Sequence, residues 1–359
     1  MFDVNAHLHT PYSFSAFTDV KQALDMAAAE GVKAVGINDF YSTDGYKDWK
    51  EGCEERDLIP LFGIEFISLN AEDQAAGLRV NDPNNPGRTY ISGKGLKYPV
   101  TLSGEPARQL AAVRAESNAQ VERMCAKLNE WLKAEGKDIV LDFNEIRATL
   151  TKGMVRERHL AKALRIAIAG VSAAQAKEAS ASELQSIVAK AYEKIFGVPA
   201  KADVNDIAAI ENEIRSRLLK AGGAAFVPED PKAFLPMETV QHIIEAAGGI
   251  PTYPFLADDA KGNFTDFEGD LQKAADTLKK RGFRSVEFIT TRNTTAVLES
   301  YAGYLEDEGF IVTFGSEHNT PAMEPIKLRT RDAAGLSEKL RAINYRGACA
   351  ILEHQAGKV

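Results

Sequence analysis

Apolar residues recur along this chain in two alternating rhythms. In residues 18–30, Val20, Ala23, Leu24 and Ala27 fall three or four apart, the spacing of one helix face, and Gly31 follows as a stop. The unbroken run VKAVGI comes next and predicts a buried strand, so the chain opens with a strand, a helix and a second strand. The same grammar returns in LIPLFGIEFISL, in GGIPTYPFL after a helix ending near Ala247, in RSVEFI and in FIVTFG, with helical patterns between them. Five or more parallel strands predict an α/β barrel or a doubly wound sheet.

Two stretches break the rhythm. Residues 81–99, NDPNNPGRTYISGKGLKYP, are rich in Pro, Gly and Asn and predict an irregular loop carrying Arg88, Lys94 and Lys97. From about residue 106 to 234 the pattern is almost wholly helical, Ala-rich between Ala167 and Ala189, with no comparable strand run. This predicts a helical insertion, in which no internal repeat is obvious.

Composition narrows the class. The chain has 359 residues, 45% of them apolar and 26% charged, enough for one large core or two ordinary ones. No apolar run approaches the roughly 20 residues of a membrane span, and the N-terminus meets histidines and a proline before a signal-peptide core could form. A cytoplasmic location is the expectation. Cys53, Cys125 and Cys349 have no metal-type spacing and are odd in number, so they are expected to be buried thiols. A net charge of -8 disfavours a general nucleic-acid surface but leaves room for a local basic cleft.

Candidate chemistry collects at strand ends. In NAHLHTPYS, His7 and His9 stand two apart, and in a strand such residues face one side, so both imidazoles can enter one pocket. Alone, that pair fits a metal and a structural role about equally. Asp39 in GINDF, Glu65 in FGIEF and Glu317-His318 in VTFGSEH fall at the C-terminal ends of expected strands, which form the active face of an α/β barrel. His242 lies in an amphipathic helical pattern and reads as a face residue.

In this order the motifs resemble those of the PHP superfamily, the polymerase and histidinol phosphatase domains. The resemblance covers roughly residues 1–70, 140–166 and 235–325. NAHLHTPYS resembles the opening HxH motif, GINDF the second motif and FGIEF the segment with a metal-bridging glutamate. RERHLAKAL resembles the helix start carrying a further histidine, here His159, while AAGGIPTYPFL and GSEHNT are similar to the last two motifs. The implied fold is a distorted, TIM-like (β/α)7 barrel with a large helical insertion. The implied division is barrel over 1–105, largely helical insertion over 106–234 with residues 156–164 returning to the barrel, and barrel plus C-terminal helices over 235–359.

The departures sort by metal. Phe14 and Ser15 stand where the family places a ligand after HxH, Phe40 replaces the histidine of the second motif, Tyr253 that of the fifth, and Glu317 the closing aspartate. His318 comes one position early, so Asn319 could take its slot. The resemblance thus implies one divalent transition metal, Zn, Mn or Fe, on His7, His9, Glu65 and Glu317, a weakened second ion on Glu65 and His159, and no third. It implies catalytic roles for Asp39 and His318. Phosphate-binding candidates are Arg88, Lys94 and Lys97, Arg158 with Arg156 beside His159, and Arg292. The implied activity is hydrolysis of a small phosphorylated metabolite or nucleotide, with no membrane partner and no nucleic acid beyond a small nucleotide or oligonucleotide. An amide or lactone hydrolase and a non-catalytic binding barrel are the alternatives.

Overall fold

The computed structural model describes residues 1–175, 181–319 and 323–358. Residues 176–180 of the expected insertion and Thr320 of the closing motif lie outside them. A seven-stranded sheet runs in sequence order through β1 (Asp3–Leu8), β2 (Val32–Phe40), β3 (Ile59–Leu69), β4 (Arg88–Lys94), β5 (Ile250–Phe255), β6 (Ser285–Ile289) and β7 (Ile311–Gly315). Its ends meet just past the ladders. Leu8 bridges Glu317, the His9 N–H donates to the Glu317 carbonyl at 2.7 Å, and the Glu317 N–H donates to the His7 carbonyl at 2.9 Å. Gly315 makes this closure possible, because a Cβ there would overlap the Cβ of His7. The fold is therefore a nearly closed α/β barrel.

Helices cover the outside, and four of them are begun by a polar side chain that caps the first turn. Asp19 caps Val20–Ala29, Asp270 caps Leu271–Lys280, Thr294 caps Thr295–Asp307 and Ser337 caps Glu338–Gln355, each accepting a bond from the first turn. Their apolar faces join outward strand residues such as Val35, Phe66, Val286 and Phe314 in the main core.

The expectation for residues 81–99 is corrected. Arg88–Lys94 is a strand, antiparallel to β3 and to β5, while the other neighbouring strand pairs are parallel. The Pro, Gly and Asn that suggest a loop flank the segment, whereas its interior holds Thr89, Tyr90 and Ile91, good strand formers. The reversal sends the two ends of β4 to opposite ends of the barrel.

The segment between β4 and β5 is helical, with Gly104–Ala134, Phe143–Leu150, Glu157–Gln175, Ala181–Phe196 and Ile207–Ile214, then a π turn at Arg215–Leu219. Val121, Leu128, Leu164, Ile210 and Leu218 belong to a second apolar cluster distinct from the barrel core. Arg156, Arg158, Arg215 and Lys220 from this segment line the same cavity as Glu65 of β3, Pro254 of β5 and Glu317 just after β7. No helix among the described residues is long and apolar enough to cross a membrane.

Candidate metal centre

His7 and His9 point into the barrel from β1 and the residue after it, and Glu65 meets them from β3. The His7 and His9 Nε2 atoms lie 3.3 Å apart, and Glu65 Oε2 lies 3.2 Å from His9 Nε2 and 3.7 Å from His7 Nε2. All three side chains are buried, and Glu65 Oε2 has no hydrogen-bond partner.

The other imidazole nitrogens explain this arrangement. His7 Nδ1 is 3.0 Å from Glu287 Oε2 on β6. That carboxylate is held well below the ordinary range: burial opposes its charge, but the Lys94 ammonium and His7 outweigh it. An ionised carboxylate only accepts, so His7 Nδ1 carries the hydrogen, and in the neutral ring Nε2 then carries a lone pair. His9 Nδ1 lies 3.5 Å from Ser13 Oγ, whose own hydrogen goes to Asp39 at 2.5 Å. The serine oxygen is thus left to accept from His9, and His9 Nε2 also presents a lone pair.

Two lone pairs and an orphaned carboxylate oxygen converge on one point. Donors about 2.0–2.1 Å from a tetrahedral ion lie about 3.3–3.4 Å apart, the separation of the two Nε2 atoms. Burial pushes Glu65 up to about 8 and holds His9 below the ordinary histidine value, so the protein atoms alone disfavour charge here. What the group fits is a cation, and His7, His9 and Glu65 form a three-donor cluster.

The remaining expected residues are placed as follows. Asp39 is fully buried and accepts from the Thr10 N–H at 2.7 Å, the Thr10 hydroxyl at 2.5 Å and Ser13, so it supports His9 from behind. Glu317 faces the cavity, but its carboxylate accepts from Arg292 Nη2 at 2.8 Å and from the Asn319 amide at 2.6 Å. Glu317 and His318 both adopt the left-handed backbone, with φ of 62° and 55°, a strained turn that sends the two side chains apart. His318 stacks on Phe17 at 4.9 Å, and its nitrogens engage Ser316 Oγ and the Glu324 carbonyl, both at 2.8 Å. His159 stands outside the three-donor cluster. Its Nδ1 accepts the Arg156 N–H at 2.9 Å, and its ring lines a smaller neighbouring cavity of about 200 Å³.

The phosphate-binding candidates separate. Arg158 and Arg292 line the main cavity, together with Arg156. Arg88 is absent from that lining and pairs with Glu229 at 2.5 Å while lying over the Phe234 ring. Lys94 is buried inside the barrel, and Lys97 is exposed at the opposite end, its N–H on the Ala247 carbonyl just before β5 begins. Tyr253 is also displaced from its expected place: it packs outward against Phe255, Phe267 and Phe283 with its hydroxyl on Glu268, and Pro254 takes the cavity-facing position. Strand alternation forces that outcome, since neighbours on β5 face opposite sides.

The main cavity holds about 340 Å³. One wall is aromatic: His9, Phe14 and Phe40 form three nearly parallel rings with centroids 5.1–5.5 Å apart, and the Arg156 guanidinium lies over both phenylalanines. Another wall is basic. Arg215, Lys220 and Arg156 pair with Glu157, Arg156 also donates to Ser117 Oγ at 3.1 Å, and Arg158 has no ion pair or hydrogen bond among the described residues. Sequence reasoning missed Arg215 and Lys220, which carry no motif, and it missed Glu287. A glutamate inside the apolar run SVEFI was a readable signal for the latter.

Comparisons agree with this fold. A candidate metal-dependent phosphoesterase from Bifidobacterium adolescentis superposes with a TM-score of 0.60 at 18% identity, with 96% of each chain covered. An amidohydrolase from Chromobacterium violaceum, whose structure holds sulfate and no metal, superposes with a TM-score of 0.58 at 16% identity and the same coverage. No protein-family model and no curated protein matches the sequence.

Proposed function

We propose that this chain is a metal-dependent hydrolase acting on a small phosphorylated molecule. The observation that carries the reading is one cavity that brings Glu65 of the three-donor cluster together with Arg156, Arg158 and Arg292. When bound by His7, His9 and Glu65, a divalent transition metal supplies the Lewis acidity that such hydrolysis needs. Arg158, which has no hydrogen-bond or ion-pair partner among the described residues, binds the anionic group, and Arg156 beside it on the cavity lining helps orient it. Phe14, Phe40, Tyr90 and Leu256 form the apolar wall that holds the uncharged part of the substrate. Asp39, acting through Ser13, fixes the ring of His9.

A second reading, hydrolysis of an amide or lactone, draws on the amidohydrolase neighbour and on the pairing of Arg215, Lys220 and Arg292 with carboxylates. The test begins with elemental analysis of protein purified without chelator. About one equivalent of Zn, Mn or Fe per chain is expected, with loss of that metal in His7→Ala and Glu65→Ala and retention in His242→Ala. The loaded protein is then offered phosphomonoesters, phosphodiesters, amides and lactones. Turnover confined to amides or lactones selects the second reading. A chain that takes up no metal after reconstitution is instead a binding barrel without hydrolytic activity.

A further inference from the structure

Below the two histidines the barrel interior holds an ion pair that the motifs do not mention. Lys94, 3% exposed, reaches across the barrel from the end of β4. Its ammonium donates to Glu287 Oε2 at 2.7 Å, to the Ala6 carbonyl at 2.9 Å and to Asn38 Oδ1 at 3.1 Å, so its three hydrogens meet acceptors from β6, β1 and β2. Glu287, fully buried, takes that bond and the His7 Nδ1 contact on Oε2, and accepts the Ser92 hydroxyl on Oε1. Taking both charges out of water is costly, and an apolar pair would fill the same space at less cost. The pair is better explained by what it holds in place than by stability.

What it holds is His7. The Glu287 carboxylate can only accept from Nδ1, so in the neutral ring it is Nε2 that is left unprotonated, directed at His9 and Glu65. The Asn38 amide nitrogen donates to Ser92 Oγ at 3.1 Å and packs 3.2 Å from both His7 nitrogens, where only the unprotonated one can accept from it. Lys94 fixes the position of the carboxylate. It can do so only because β4 is antiparallel and ends at this depth of the barrel.

We propose that Lys94 and Glu287 are positioning residues that lock His7 in its Nδ1–H tautomer and orientation as a donor to the cation site. This rests on the reading of His7, His9 and Glu65 as that site. The first test is long-range 1H–15N NMR of the wild-type chain after chelator treatment, with His7 assigned from the spectrum of His7→Gln. The expected signature is a protonated Nδ1 and an unprotonated Nε2; a protonated Nε2 with bare Nδ1 overturns the proposal, whether or not any variant folds. The second test is zinc affinity by chelator competition on Glu287→Gln and Lys94→Met, with circular dichroism to confirm folding. Ten- to hundredfold weaker binding is expected in folded Glu287→Gln, the effect usual for a lost partner of a metal-bound histidine, with a smaller loss in Lys94→Met. Wild-type affinity in folded Glu287→Gln overturns the proposal. Wild-type protein that binds no zinc while showing the expected tautomer refutes the cation site and leaves the orienting role of Glu287 standing.

Discussion

The two arginines most readily taken for equivalent substrate anchors, Arg88 and Arg158, have opposite surroundings. Arg88 is neutralised by Glu229 and stacked on Phe234 away from the cavity lining, whereas Arg158 lies over Phe14 with its donors unspent. Burial even holds the Arg158 guanidinium down at about 10, a cost that a bound anion would offset. Arg158→Ala should lower kcat/KM for a phosphoester by about 10- to 100-fold, the size of a lost charge-assisted hydrogen bond, and Arg88→Ala should leave it within about twofold. Steady-state kinetics of the two variants side by side checks this; the reverse ranking would move the anion site toward β4. The sequence offered both residues on the same terms, because a basic side chain in a polar stretch carries no information about its partner.

The helix Glu157–Gln175 shows how one residue can tie an element to pH. At its start, His159 Nδ1 accepts the Arg156 N–H, which requires a neutral ring. Burial, reinforced by Lys162 and Arg156 and opposed by Glu157, lowers the ring from its ordinary 6.5 to about 4. The unfolded chain takes up this proton at a higher pH than the folded chain does. The contribution to stability is therefore fully present above pH 6.5 and is lost as pH falls toward 4, by about 3 kcal/mol at most. His159→Gln keeps an acceptor without a titrating group, so its urea midpoint should fall less than the wild-type midpoint between pH 7 and 4.5. Parallel pH profiles would show that His159 is already protonated in the folded chain. The helix itself was legible from its apolar spacing. The capping contact was not, because RERHLAKAL is equally consistent with a histidine turned toward a metal.

At the scale of the whole molecule, the proposed cation site links strands distant in sequence: His7 from β1, Glu65 from β3 and, behind them, Glu287 from β6 and Lys94 from β4. A ligand that binds only when these strands are assembled stabilises the whole barrel. Zinc at about 100 times its Kd should add about 2.7 kcal/mol and raise Tm by a few degrees. Chelator should reverse the rise, and His7→Ala should show none; calorimetry with and without metal reads both. The sequence by itself determined the strand and helix alternation, the inward pairing of His7 with His9 and the association of Glu65 and Glu317 with strands, because periodicity and side-chain direction are local properties of the backbone; that Glu65 lies inside the longer strand Ile59–Leu69 and not at its end is set by pairing with β4. Only the tertiary structure decided that residues 88–94 form an antiparallel strand, that Tyr253 faces outward, that Lys94 and Glu287 meet beneath His7, and which arginines face the cavity. Those outcomes depend on register, strand direction and barrel closure, which bring together residues as far apart in sequence as Leu8 and Glu317 and leave little trace in any one stretch of the chain.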